Sequence, residues 1–455
     1  MGGDLLITGA TLVDEHGERP GCVRVSGGRI AAVTGAAPAD AAGCEVVDGA
    51  GCLLLPGGVD PHVHFALPVG GAVTADDFAS GGRAALAGGT TTVIDFVTPG
   101  REQPLLAAVE ARLAEAAACA CDYTLHLSAT SWRAGAADQL RACARDFGLR
   151  SLKLYMAYLD TIGLGDGDLG RAMAAAADLD LTVLLHCEMG RRVAQRQREL
   201  LAFGDTGPAA HPRSRPPEME AGAVRRALEL AAATGCRPYI VHMSTAGAVD
   251  AVAAARAAGQ AVLAETCPQY LLLDESVYAG DAATAAAAVM SPPLRAAEHR
   301  EALRRALKGG LIDTVGTDHC SFTAAQKAAA GDFTRIPGGA AGVQHRLALL
   351  MTLAGEGLLS RADVVRVACS GPARAFGLYP RKGALTVGAD ADLVLWDPDA
   401  RGVITAAADL HAGDQSVYEG RAVRGRPRRV WLRGASVVDG DRVDAPAGGG
   451  AFLGR

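Results

Sequence analysis

Eight short apolar runs, spaced through the middle of the chain and separated by helix-like stretches, constrain the fold more than any other feature. They cover residues 58–65, 91–97, 123–129, 151–157, 182–188, 239–244, 261–267 and 313–319. Short runs that stay apolar throughout suit strands covered on both faces, as in a parallel sheet. Between them lie alanine-rich segments such as 105–118, 222–234 and 248–258, which read as helices. Eight strands alternating with helices over roughly 320 residues predict an α/β fold, a closed (β/α)8 barrel of the TIM type. In such a barrel the chemistry gathers at the C-terminal strand ends. The alanine richness shows no fixed period, so it does not signal a repeat protein.

The two ends of the chain have a different texture. Strand-like pieces at 5–7, 11–13, 23–25 and 27–33 are closely punctuated by turn residues, and the same texture returns only after residue 380, at 392–396 and 429–432. This spacing fits β-rich packing rather than βα units. The expected organisation is therefore residues 1–55 as the N-terminal part of a small β-sandwich, 56–380 as the barrel, and 381–455 as the rest of the sandwich with a tail. The tail, 445–455, is glycine-rich and would be flexible alone.

Composition excludes several partners. With 455 residues, 49% hydrophobic and 21% charged, the chain has room for a large core and a smaller domain. A net charge of −6, with lysine and arginine not gathered on one face, argues against nucleic acid and anionic membrane. The first residues lack a basic segment followed by an apolar core, and Leu6 stands where a myristoylation signal needs serine or threonine. No run approaches the roughly 18 apolar residues that span a bilayer. Eleven cysteines form no CxxC pair, and their odd number suggests reduced thiols, so the expected compartment is the cytoplasm.

The first apolar run closes on Asp60-Pro61-His62-Val63-His64. Residues two apart on a strand point the same way, so His62 and His64 aim both imidazoles into one space. Alone such a pair is commonly polar packing. Here Lys153 lies on the fourth run, His186 at the end of the fifth, His242 at the end of the sixth and Asp318 at the end of the eighth, all towards one barrel mouth. Four histidines and an aspartate suit zinc or a similar divalent ion. A pair of ions needs an anionic bridge, which Lys153 could supply only as a carbamate formed with carbon dioxide. An uncompensated ammonium on this apolar strand would be costly, and the plain alternative is a lysine paired with a carboxylate.

These motifs resemble the dihydropyrimidinase/hydantoinase branch of the amidohydrolase superfamily over essentially the whole chain. The matching pieces are 56–64, 88–96, 151–158, 186–188, 241–244, 267–270, 290–295 and 316–320, with 388–394 shared more widely among amidohydrolases. The resemblance implies two Zn2+ per subunit: His62, His64 and Asp318 on one, His186 and His242 on the other, bridged by carboxylated Lys153 and a hydroxide. Asp318 would act as general base and then general acid, and Tyr158 would stabilise the tetrahedral oxyanion. Ser291 would fix the substrate ring. The plain alternatives are a rim tyrosine and a turn serine. The resemblance also implies a homo-oligomer, a tetramer or a dimer, with the tail lying across subunit contacts. His319 is expected to pack behind the site, and His211 to serve structure or line the cleft. His16, His126, His299, His345 and His411 receive no role. Cys187 and Cys320 neighbour ligands but should alternate to the opposite face.

Two departures bear on the substrate. Hydantoinases typically carry Asn-Gly after Ile-Pro in the segment following the eighth strand; here Ile336-Pro337 leads into Gly338-Gly339. Gly338 could still offer its backbone to the substrate, on a looser loop, although the stretch 338–344 leans towards allantoinase. Dihydroorotases usually place an arginine two residues after the second histidine, and this chain has Ala66, so dihydroorotate is not the expected substrate. Leu67, Tyr155 and Ile162 suggest an apolar wall beside the ring substituent. The expected activity is opening of a 5-substituted hydantoin or a dihydropyrimidine to the N-carbamoyl amino acid. The alternatives are an allantoinase and a metal-free scaffold protein related to dihydropyrimidinases.

Overall fold

Strands from the two ends of the chain meet because Leu53–Pro56, entirely buried, pairs antiparallel with the first half of Leu393–Val403, Leu54 opposite Leu395. The structure, a computed structural model, describes residues 4–36, 43–69 and 71–454. Around that pairing grows a nine-stranded sheet. Leu5–Asp14, Gly17–Ser26, Arg29–Thr34 and Glu45–Asp48 join on one side, and Ala422–Leu432, Ala435–Asp439 and Arg442–Val443 on the other. The sheet has a core of its own, with Leu5, Ile7, Leu12, Val23, Val25, Leu54, Leu393, Leu395 and Trp431 packed together.

The middle of the chain forms an eight-stranded parallel sheet whose strands neighbour one another in chain order. They are Gly58–Asp60, Thr90–Val97, Asp122–Ser128, Ser151–Tyr155, Thr182–His186, Arg237–Ile240, Leu263–Thr266 and Thr314–Val315. The eighth strand is tied back to the first through Asp60. Its Oδ1 accepts from the Thr317 amide at 3.1 Å, and its Oδ2 from the Thr317 hydroxyl at 2.7 Å. A bridge between Val63 and His319 continues the closure towards the mouth. Helices cover the outside with small apolar stripes; Pro217–Thr234 buries Ala223, Val224, Ala227, Leu228 and Ala231, one face at helical spacing. The expected TIM barrel with a terminal β domain is what the chain forms.

Two local expectations change. The apolar run leading into the His pair is not one strand: it breaks at Gly57, where the chain passes from the terminal sheet into the barrel. A Cβ on Gly57 would lie 2.1 Å from the Thr91 hydroxyl, so only glycine allows the strands to approach this closely. The first barrel strand also stops at Asp60, so His62 and His64 lie just beyond it, held in extended register by His64 N–H donating to His319 O at 2.8 Å. The tail, for its part, is laid along its own barrel. Tyr123 N–H donates to Ala451 O at 3.0 Å and Leu453 N–H to Tyr123 O at 2.7 Å. Among the described residues no helix is long and apolar enough to cross a membrane.

Candidate metal centre and active site

Six side chains from six places in the sequence reach one cavity of about 540 Å³ at the C-terminal mouth of the barrel: His62, His64, Lys153, His186, His242 and Asp318. Asp318 Oδ1 stands 3.2 Å from His62 Nε2 and 3.1 Å from His64 Nε2, so three potential ligand atoms face one point. His186 Nδ1 lies 3.0 Å from His242 Nε2 and makes a second cluster beside them. The backbone is bent to do this. Of six described non-glycine residues with left-handed φ, three are His242 at 37°, Asp318 at 52° and Tyr158 at 58°. Such conformations cost energy and persist where the surroundings enforce them.

The residues behind this layer decide which ring nitrogens face the cavity. His62 Nδ1–H donates to Glu265 Oε1 at 2.8 Å, leaving Nε2 free. Glu265 also accepts from the His242 amide at 3.0 Å and, on its other oxygen, from the Tyr239 hydroxyl at 2.8 Å. Burial raises its carboxyl to about 7. His186 Nε2–H donates to Glu188 Oε2 at 2.7 Å, and Arg215 holds the same oxygen at 2.5 Å. Burial pulls His62, His186 and His242 below the usual imidazole range, so their lone pairs are available to a metal. Glu265, Glu188 and Arg215 were not singled out from the sequence. The signals were there: a lone carboxylate inside the apolar run 261–267, and another two residues after a ligand.

Lys153 is 1% exposed, and its amine is pulled down to about 8 by burial. None of the ion pairs among the described residues involves it. Its Nζ lies 5.3 Å from the centre of the Phe96 ring and 5.2 Å from that of Tyr155. A carboxylate partner, the plain alternative for this lysine, is therefore not present.

Every expected substrate contact also lines the cavity: Tyr158, Ser291, Gly338, Leu67, Tyr155 and Ile162. Burial raises the Tyr158 hydroxyl, which keeps it protonated and able to donate. Lys327, not foreseen, fastens the floor under Gly338. Its buried Nζ hydrogen-bonds Ala286 O, Ala287 O, Val289 O and Gly339 O at 2.8–3.1 Å, and burial pulls the amine down to about 7. His319 sits behind the site as expected, Nε2 on Asp76 Oδ2 at 3.1 Å. His211 lines the cavity and also braces it, donating from Nε2 to Met290 O at 2.8 Å. Cys320 departs from expectation: it is on the cavity wall, because the chain turns at Asp318 and alternation is lost there. Burial raises its thiol, so it is a neutral wall group rather than a thiolate ligand.

The donor set fits a pair of divalent ions. One cluster offers two Nε2 atoms and a carboxylate. The other offers His186 Nδ1, its remaining nitrogen committed to Glu188, and His242 Nε2, and a buried unpaired amine faces the same cavity. The sequence profile described as "Amidohydrolase family" matches residues 53–437. The chain is 39% identical over 406 residues to a D-hydantoinase of Geobacillus stearothermophilus, covering 88% of this chain and 86% of that protein. It is 36% identical over 437 residues to a dihydropyrimidinase of Arabidopsis thaliana, covering 95% and 82%. The fold superposes on the crystal structure of a dihydropyrimidinase from Brevibacillus agri with a TM-score of 0.97 at 35% identity, over 99% of this chain and 98% of that one.

Proposed function

The chain belongs to the amidohydrolase family, and within it to the hydantoinase and dihydropyrimidinase branch, and on that premise we propose that it hydrolyses cyclic amides. Its substrate is a 5-substituted hydantoin or a dihydropyrimidine, opened to the N-carbamoyl amino acid. The observation that carries this is the convergence of His62, His64, His186, His242, Lys153 and Asp318 on a cavity that Tyr158 and Ser291 also line. We assign two zinc ions to the two clusters. When bound, the ions supply a water ionised near neutral pH and polarise the scissile carbonyl.

The chain's own groups do the rest. Lys153 Nζ, buried without a carboxylate, would add carbon dioxide as the neutral amine, forming an N–C bond and releasing one proton to solvent, and the resulting carbamate would offer the two clusters a shared anionic ligand. Asp318 accepts the proton of the attacking water and returns it to the ring nitrogen as the C–N bond breaks. The Tyr158 phenol donates to the oxyanion that forms at the attacked carbonyl, a contribution of about 10²–10³ in rate. Ser291 and the backbone at Gly338 hold the ring, while Leu67, Tyr155 and Ile162 pack against the substituent at its fifth position. The active unit is a homo-oligomer.

Ring opening by the zinc-reconstituted protein, prepared with bicarbonate, tests this on dihydrouracil, 5-alkyl and 5-aryl hydantoins, allantoin and dihydroorotate. Chelator-sensitive opening of hydantoins or dihydrouracil is expected. Preference for allantoin would move the chain to the ureide hydrolases, and turnover of dihydroorotate at a comparable rate would contradict the apolar wall.

A further inference from the structure

A second histidine–aspartate cluster lies outside the catalytic cavity. His345 caps the start of helix Arg346–Gly355; Asp409 and His411 come from the segment that follows the short helix Ala406–Ala408. His345 Nε2 stands 2.8 Å from Asp409 Oδ1, and His411 Nε2 stands 2.8 Å from Asp409 Oδ2. The three side chains are 11%, 2% and 0% exposed, and the three ligand-type atoms lie within 4.8 Å of one another. Despite these separations His345 Nε2, Asp409 Oδ2 and His411 Nε2 all lack an aligned hydrogen-bond partner. Buried polar atoms left without an aligned partner are what an additional bound ion could satisfy.

We propose that His345, Asp409 and His411 form a third, non-catalytic site for a zinc-class divalent cation, with solvent as the fourth ligand. Its affinity is limited by His411. The Gly413 amide donates to His411 Nδ1 at 3.1 Å, so the metal-free ring carries its proton on Nε2. Taking an ion at Nε2 moves that proton to Nδ1 and breaks the Gly413 contact. The site therefore fills reversibly and gives up its ion on dialysis.

Position gives the site its consequence. One residue beyond His411, the Ala412 amide donates to Asp76 Oδ1 at 2.8 Å, and Asp76 Oδ2 receives His319 Nε2 at 3.1 Å, next to Asp318. The ion would pin the 404–421 segment to the barrel and brace the wall behind Asp318.

The test is titration of the dialysed holoenzyme with zinc alone, followed by calorimetry and by metal analysis after gel filtration in micromolar zinc. Wild type is expected to bind one ion per subunit more than Asp409→Asn does, whatever the number in the catalytic cavity, and to gain thermal stability that the variant does not. His345→Gln, which leaves the carboxylate in place, should weaken that last ion at least tenfold. Should Asp409→Asn fail to fold, an anomalous peak at the zinc edge between His345 and His411, in wild-type crystals soaked in zinc, decides instead. Equal binding by wild type and variants, or no anomalous peak, would overturn the proposal and leave a histidine–carboxylate–histidine hydrogen-bonded triad.

Discussion

Glu265 touches no substrate, yet it sets the tautomer of His62 and receives the His242 amide, so one carboxylate orients ligands of both clusters. Glu265→Gln keeps the shape but can offer only one carbonyl oxygen, and the amide group will be drawn to orient against Tyr239 or His62. A loss of about 10–100-fold in metal affinity or kcat is expected, with zinc retention during dialysis as the direct check; unchanged retention would limit Glu265 to a structural role. His211 allows a prediction in pH. Burial, and then Arg215, pull its imidazole down to about 3, while the unfolded chain has the ordinary value of about 6.5. Between those values the unfolded state binds the extra proton, so stability is lost as pH falls, by roughly 1.4 kcal/mol per unit. His211→Gln, which can still donate to Met290 O, should flatten the urea-midpoint profile between pH 6.5 and 4. Parallel profiles for the two proteins would refute it. The convergence of the six side chains on one cavity was legible in the sequence because the four histidines and Asp318 lie towards the ends of apolar runs and Lys153 lies within one. Glu265 was not, since its meaning depends on a partner 203 residues away.

At the scale of elements, strand number and order could be read because buried parallel strands keep the same apolar signature wherever they occur. The break at Gly57 could not, as the run 53–59 is apolar on both sides of it; what separates the two strands is a close approach to Thr91 that only the fold reveals. The Gly338-Gly339 loop is a similar case in which two identical residues have different reasons. A Cβ on Gly338 would meet nothing nearer than 3.8 Å, at Met290, so a side chain fits there. Gly339 has φ of 150°, and its Cβ would lie 2.5 Å from Cys320 O. Gly338→Asn is therefore expected to fold normally and to keep kcat within about threefold, with any change falling on KM. Gly339→Ala should destabilise by about 1–3 kcal/mol and distort the wall opposite Ser291. Chemical denaturation beside steady-state kinetics separates the two, and equal effects would mean that the loop moves as a unit. Lys327 argues against that outcome, since its Nζ hydrogen-bonds Val289 O and Gly339 O together and fixes one glycine of the pair.

Over the whole molecule, barrel, terminal sheet and tail are joined at one buried charge cluster. Lys382 is fully buried, and its Nζ donates to Asp122 Oδ2 at 2.5 Å and Asp392 Oδ2 at 2.7 Å, with Asp390 Oδ2 at 3.0 Å. Asp122 opens the third barrel strand, Asp390 and Asp392 lead into the terminal sheet, and the Ala451 amide of the tail donates to Asp122 Oδ1 at 2.8 Å. Arg433 supplies a second cation to Asp122. Lys382 meets carboxylates from both the barrel and the terminal sheet, and nothing local in Arg381-Lys382-Gly383 announces it. Removing one partner of such a cluster leaves the others buried and uncompensated, which costs about 3–5 kcal/mol. Lys382→Met is expected to lose that much in urea denaturation and to expose the tail to limited proteolysis before the barrel unfolds. Catalysis per folded molecule should be little changed, because the cluster lies outside the cavity. Asp122→Asn added to Lys382→Met removes one orphaned carboxylate and should recover part of the loss, a coupling of about 1–3 kcal/mol. Simple additivity of the two substitutions would mean that the domains are held by apolar packing, with the charges only tolerated between them.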